Sequence, residues 1–121
     1  HGPATTLTRQ DNGHCFASAE VNGQSVNFLV DTGASAVSLS EADARRIGLP
    51  LDPANYQVVG SGASGPVMGQ HITFDSVTLD GKRVDGVSGA VLQGSEVSLL
   101  GQSFLSHMEH IEIVGDRMTI R

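Results

Sequence analysis

The sequence predicts an all-β domain carrying one or two short helices, and three observations predict it. Glycine is over-represented, at 15 of 121 residues, or about 12% against a usual ~7%, which suits a chain of many tight turns. The dipeptides Asn12-Gly13, Asn22-Gly23, Asp80-Gly81 and Gly115-Asp116 punctuate the chain, and such pairs close hairpins. Between them lie short β-rich runs rather than long stretches of helical period.

In chain order, residues 5–9, 15–21 and 25–30 read as strands joined by two tight hairpins. Val26, Phe28 and Val30 alternate, so one face of the third strand is expected to be buried. Ser40 is a helix N-cap, followed by Glu41 and Asp43 in the first turn and Arg45 and Arg46 in the last. Gly48 and Pro50 then end that helix. Residues 56–74, apolar at the ends and Gly-, Pro- and Ser-rich in the middle, read as a long hairpin with a mobile tip around Ala63-Ser64-Gly65-Pro66. Residues 77–79 and 83–87 flank Asp80-Gly81 as a further hairpin. A second helix is expected over 102–108, with Phe104, Leu105 and Met108 on one face. Ile111–Val114 and Arg117–Ile120 form the last hairpin around Gly115-Asp116.

Length and charge bound the function. A chain of 121 residues is one domain's worth. Its net charge of −6 argues against nucleic acid or an anionic membrane surface as partner. Hydrophobic residues make up 39% and charged ones 17%, which is globular composition. No apolar run approaches the ~18 residues that span a bilayer. The single cysteine, Cys15, excludes an intrachain disulfide and a Cys-based zinc site, and leaves the redox compartment open. His1-Gly2-Pro3 resembles a tag-removal scar. Residues 1–12 therefore read as a scar and strand segment, 13–121 as the domain, and a leader or anchor upstream as removed.

The chemistry-bearing stretch is Phe28-Leu29-Val30-Asp31-Thr32-Gly33-Ala34-Ser35. A carboxylate at the end of an apolar strand is costly unless paired, hydrogen-bonded or protonated. Thr32 offers a hydroxyl to lock the loop, and Gly33 lets backbone approach whatever Asp31 touches. An ordinary turn uses the same residue types, so the tripeptide alone leaves both readings open.

The flanks favour the chemical reading. Three apolar residues running into Asp-Thr-Gly-Ala-Ser resemble the active-site loop of aspartic proteases. Leu99-Leu100-Gly101-Gln102-Ser103-Phe104-Leu105 resembles their second, apolar-apolar-Gly block. The order and spacing are those of the single-domain, retropepsin-like branch, and the helix after Ser40 resembles cellular and bacterial members. The resemblance implies a retropepsin-like acid-protease half-barrel with a flap hairpin, and endopeptidase activity with no cofactor and no metal. It implies a homodimer in which two copies of Asp31 share the site, because no second Asp-Thr-Gly or Asp-Ser-Gly occurs in the chain. It also implies that Thr32 bonds across the two-fold axis, Gly33 holds substrate backbone and Ala34 lines the cleft. Gly62, Ala63, Ser64 and Gly65 fall at the flap tip, and Leu100, Gly101 and Gln102 support the loop. A periplasmic parent with an N-terminal membrane anchor is the expected setting, and peptides or proteins are the expected substrates. Two positions depart from viral relatives: Ser35 and Gln102 stand where those carry an Asp and Arg ion pair, and a neutral hydrogen bond between them is expected instead. Pro66 near the flap tip lacks an N–H. The alternative is a catalytically silent module of this fold used for dimerisation or peptide binding. A third reading is an enzyme activated by a partner or by tethering.

Other signals carry less. Gly60-Ser61-Gly62-Ala63-Ser64-Gly65 matches the dinucleotide-binding spacing but lacks a βαβ context. His107 and His110 could share a helix face, with Glu109 or Glu112 as further metal ligands, but read as charges near a helix C-terminus. His14 and Cys15 point to opposite faces of a strand, so Cys15 reads as a small core residue. Asp75, Asp80 and Asp85 read as solvated.

Overall fold

The computed structural model describes residues 2–121. Its strands are β1 (Thr5–Thr8), β2 (Phe16–Val21), β3 (Gln24–Val30), β4 (Val37–Ser40), β5 (Gln57–Gly62), β6 (Gly65–Leu79), β7 (Lys82–Leu92), β8 (Ser98–Leu100), β9 (Ile111–Val114) and β10 (Arg117–Ile120). The helices are α1 (Glu41–Arg46) and α2 (Gln102–Leu105), and Pro53–Asn55 form one 3-10 turn. Seven strands run in the order β2-β3-β8-β4-β7-β6-β5, and a further β2–β6 pairing closes them into a barrel. That closure pairs Glu20 with Thr78 and Val21 with Val77. The chain is all-β in class, with two short helices, as its turn chemistry predicts.

The hairpins rest on the expected turns. Asn22 and Gly23 sit at φ 51 and 82, and Asp80 and Gly81 at φ 47 and 78. Positive φ at both central residues matches the right-handed strand twist. The alternation in β3 buries Val26, Phe28 and Val30 as expected, and they join Val37, Leu39, Phe74, Val91, Leu100 and Phe104 in one core. Cys15 is buried there too. Ser40 caps α1, its hydroxyl accepting from the Asp43 N–H at 3.1 Å.

Three expectations need correction. β1 does not form a hairpin with β2. It pairs antiparallel with β10, Thr5 opposite Ile120, in a second sheet of order β1-β10-β9. The Asn12-Gly13 turn forms locally, with Gly13 N–H on Gln10 O at 2.8 Å, but a local turn does not choose a strand's distant partner. Second, α2 ends at Leu105 rather than at 108. Past it, the Glu109 and His110 N–H groups turn to the Arg121 carbonyl, which draws the chain out of the helix. Third, β4 is a strand outside the expected set, although Val37-Ser38-Leu39-Ser40 alternates apolar and polar residues. All four of its residues are buried, so the alternation shows in residue type and not in burial, and β4 pairs with β7 along one edge and β8 along the other. The hairpin around Asp80-Gly81 is also longer than expected, with β6 and β7 paired from Gly69 to Leu92.

Lys82 fastens the N-terminal segment to the barrel. Its buried amine donates to Pro3 O at 2.5 Å and Thr5 Oγ1 at 2.8 Å. Thr5 in turn donates to Asp80 Oδ2. Burial pushes the Lys82 amine below its usual range, and the Asp80 charge offsets part of that. Asp80 is thus engaged, and Asp85 pairs with Arg83 at 2.7 Å on the surface. Asp75 is exposed.

Candidate active site

The order β3-β8-β4 places the site. β3 runs parallel to β8, with Leu29 beside Leu99 and Val30 beside Leu100. β4 lies on the other side of β8, with Ser38 opposite Leu99. Residues 31–36 therefore leave one neighbour of β8 and return as the other, looping over the Leu100 end. Phe28, Val30 and Leu100 face the core. Leu29 and Leu99 are half-buried on the opposite face, and by strand alternation that is the side Asp31 follows. Ser38 is buried beside them, and its hydroxyl lacks a hydrogen-bond partner among the described residues.

The loop is held by backbone. Asp31 N–H donates to Leu100 O at 3.1 Å, and Ala34 N–H to Asp31 O at 3.2 Å. The second bond makes Asp31-Thr32-Gly33-Ala34 a β-turn. Gly33 N–H donates to Asp31 Oδ1 at 2.9 Å. A Cβ on Gly33 would stand 3.3 Å from that same oxygen, so glycine lets the carboxylate fold back onto its own turn.

The second block clamps the loop from below. Gln102 N–H donates to Ala34 O at 2.8 Å, and its side-chain Nε2 donates to Thr32 O at 2.9 Å. A Cβ on Gly101 would lie 2.4 Å from Ala36 O and 2.8 Å from Ala34 O, so only glycine lets the two segments meet. The expected bond between Ser35 and Gln102 is not the one formed. Ser35 is exposed, and the Gln102 amide takes the Thr32 carbonyl, which lies within its reach.

Two further groups brace β4. Ser103 Oγ accepts from Val37 N–H at 2.9 Å and donates to Ser88 O at 2.6 Å, joining β4, α2 and β7. Ser98 Oγ accepts from Ser40 N–H at 3.1 Å and donates to Asp43 Oδ2 at 2.5 Å. Burial works against the Asp43 charge, yet hydrogen bonds from Ser98, Arg46 and Ser40 outweigh it and hold the carboxyl below its usual range.

The β5–β6 hairpin closes with Gly62 opposite Gly65, leaving Ala63 and Ser64 as its two-residue tip. Ala63 and Ser64 are exposed. Its root is fastened. Tyr56 donates to Glu41 Oε2 at 2.7 Å, and Gln70 bridges Pro50 O and Asp52 N–H at 3.0 Å each.

Asp31, Thr32, Gly33 and Ala34 thus meet Leu100, Gly101 and Gln102 in one cluster, while Gly62, Ala63, Ser64 and Gly65 occupy the hairpin end. Reading the sequence missed Ser103, the Ser98–Asp43 link and the pairing of Leu29 with Leu99. Alternation back from Asp31 could have found Leu29. Nothing in the spacing announces the partners of Ser98 or Ser103, which come from β4, β7 and α1.

A closed barrel with an Asp-Thr-Gly turn locked against an apolar-apolar-Gly block defines a retropepsin-like fold. Residues 17–107 match the family described as gag-polyprotein putative aspartyl protease, and the chain belongs to that family. It is similar to the crystal structure of a retropepsin-like aspartic protease from Rickettsia conorii, at 29% identity and TM-score 0.81, covering 98% of this chain and 90% of that one. It shares its fold with the EIAV protease complexed with the inhibitor HBY-793, at 20% identity and TM-score 0.64, covering 83% and 92% of the two chains. In sequence it is 37% identical, over 95% of its length and 50% of the relative's, to a Sinorhizobium sp. protein described as "Uncharacterized protein in cobV 5'region". It is 31% identical to "Uncharacterized protein RP867" of Rickettsia prowazekii (strain Madrid E), over 94% of its length and 49% of that protein's. The chain spans about half the length of these two relatives.

Proposed function

We propose that the chain is an aspartic endopeptidase that works as a homodimer, hydrolysing peptide bonds with water activated between two Asp31 carboxylates. One observation carries this reading. Asp31 ends a buried strand on a turn clamped from both sides, and the 121-residue chain supplies one such aspartate. Two carboxylates about 3 Å apart cannot both ionise readily, as is general for aspartic-protease dyads. In the dimer one Asp31 acts as base and takes a proton from water, the water attacks the scissile carbonyl, and the protonated Asp31 gives its proton to the developing oxygen; the first Asp31 then gives its proton to the leaving amine as the C–N bond breaks, while the second takes back a hydroxyl proton as the carbonyl re-forms. Thr32, exposed at the turn, bonds across the two-fold axis, and Gly33 and Ala34 meet substrate. Leu29 and Leu99 add an apolar wall beside the carboxylate. The β5–β6 hairpin serves as the flap, with Gly62, Ala63, Ser64 and Gly65 over the bound peptide. Acid supplies the shared proton, so activity declines towards alkaline pH.

The test is digestion of a diverse peptide library, read by mass spectrometry, with Asp31→Asn as control. An amide keeps the shape of the group but cannot act as base, so wild type cleaves and the variant does not. Undiminished cleavage by the variant removes the mechanism. Peptide binding without cleavage by either protein makes the chain a silent module of this fold.

A further inference from the structure

We propose that Gln102 is a positioning residue for Asp31, acting on its carboxylate through the single peptide unit that joins Thr32 to Gly33. This inference rests on the endopeptidase reading for its catalytic consequence, and on geometry alone for its structural one.

Backbone bonds fix Asp31 and Ala34 at the two ends of the turn, through Leu100 O, Asp31 O and Ala34 O. Among the described residues, the central peptide, between Thr32 and Gly33, has no backbone partner. Its carbonyl accepts from Gln102 Nε2 at 2.9 Å. Its N–H donates to Asp31 Oδ1 at 2.9 Å.

A peptide unit is planar, with C=O and N–H pointing to opposite sides. Whatever fixes the carbonyl therefore fixes the N–H. The central peptide of a β-turn is also the one that flips between type I and type II, and the type II form needs positive φ at the third residue. Glycine there tolerates both forms. Gly33 is not among the glycines at positive φ, so the turn is held in the type I sense. A flip would swing the Gly33 N–H away from Oδ1. Thr32 and Gly33 are exposed, so water competes for both of their polar groups, and Gln102 is the protein group that opposes the flip.

The two hydrogen bonds also lie in series. A donor on a carbonyl polarises its peptide and strengthens donation by the N–H at the other end. Gln102 thereby does two things without touching substrate: it selects the turn form, and it strengthens the Gly33 N–H as a donor to Asp31 Oδ1.

The test compares wild type with Gln102→Leu, which removes the donor, and Gln102→Glu, which keeps the shape. At neutral pH the introduced carboxylate accepts but cannot donate, and it repels the Thr32 carbonyl. In acid the protonated carboxyl donates again. Two readouts are taken across pH: the Gly33 amide resonance by NMR, and kcat and KM on a cleaved peptide. The Gly33 amide is expected to move upfield in Gln102→Leu at every pH, and in Gln102→Glu at neutral pH only. The value of kcat is expected to fall roughly tenfold in the same pattern, with KM little changed, because what is lost is orientation at the reacting centre. A fold-stabilising role alone would lower the folded fraction without moving the Gly33 amide of the protein that remains folded. A Gly33 amide that is unmoved in both variants overturns the proposal, as does an unchanged kcat in a cleaving enzyme. If wild type cleaves nothing, the endopeptidase reading falls by itself, and the NMR pattern still decides whether Gln102 holds the peptide.

Discussion

Replacing Gly101 by alanine probes the contact on which the loop depends. The added Cβ would stand 2.4 Å from Ala36 O and 2.8 Å from Ala34 O, where ordinary contact begins at 3.4 Å. Loop and block must separate by about 1 Å, and both obstacles are backbone carbonyls that no rotamer change can move aside. Overpacking of this kind costs about 1–3 kcal/mol. The bond from Gln102 N–H to Ala34 O, now 2.8 Å, stretches with the same motion and adds about 1 kcal/mol. A loss of roughly 2–4 kcal/mol lowers the Tm of a domain this size by about 8–15 °C. In the proposed dimer the same 1 Å would displace Asp31 from its partner, so activity should fall on the order of 100-fold. Calorimetry at fixed protein concentration, since dimerisation itself shifts Tm, and kcat/KM on a cleaved peptide make the assay. Asp31→Asn provides the opposite profile, with activity lost and stability equal to wild type or higher, because like-charge repulsion between protomers of the proposed dimer is relieved. A Gly101→Ala protein melting within about 2 °C of wild type, with its activity intact, would refute the steric argument.

The remaining predictions follow from the same contacts. Asp43 is held below its usual range, so it contributes stability above the ordinary carboxylate range that is lost as pH falls through its folded value. Asp43→Asn should therefore unfold at lower urea than wild type near neutral pH, and the two curves should converge in strong acid. Ser103→Ala strips the Val37 N–H of its acceptor and should cost about 1–3 kcal/mol in urea unfolding; a loss near zero would mean that the bond contributes nothing. The Ala63-Ser64 tip should exchange its amides far faster than residues 28–30 in the free protein, and slow down on binding peptide; equal protection of the two segments would rule out a mobile flap. Each protomer of the proposed dimer carries −6, and Gln102 braces the loop through a neutral hydrogen bond to the Thr32 carbonyl rather than an ion pair. The dimer should therefore be weak, and sedimentation should find more of it in acid or high salt. A tight dimer at nanomolar protein and neutral pH would contradict that expectation.

Much of this fold was legible because its signals are local. Asn22-Gly23, Asp80-Gly81 and Gly115-Asp116 closed the expected hairpins, since the backbone twist of those turns is a property of the two residues themselves. Ser40 with Glu41, Asp43 and Arg46 bounded α1 for the same reason. The strand-to-turn step at Asp31, the spacing to Leu99-Leu100-Gly101 and the family they define were also readable from the chain alone.

Partnership was decided by tertiary structure. A turn at Asn12-Gly13 could not tell β1 that its ladder lies with β10 at the far end of the chain. β4 alternates as Val-Ser-Leu-Ser, but four residues are too few for that pattern alone to separate a strand from a loop, and its pairing with β7 and β8 decides it. Nor could spacing say that Gln102 would choose the Thr32 carbonyl over Ser35, because a side-chain amide bonds to whichever acceptor the folded loop brings within about 3 Å. Residue types and turn chemistry act over a few positions and are written in the sequence. The meeting of Gly101 with the carbonyls of Ala34 and Ala36 depends on how β8 threads between β3 and β4, and that distance exists only once the barrel has closed.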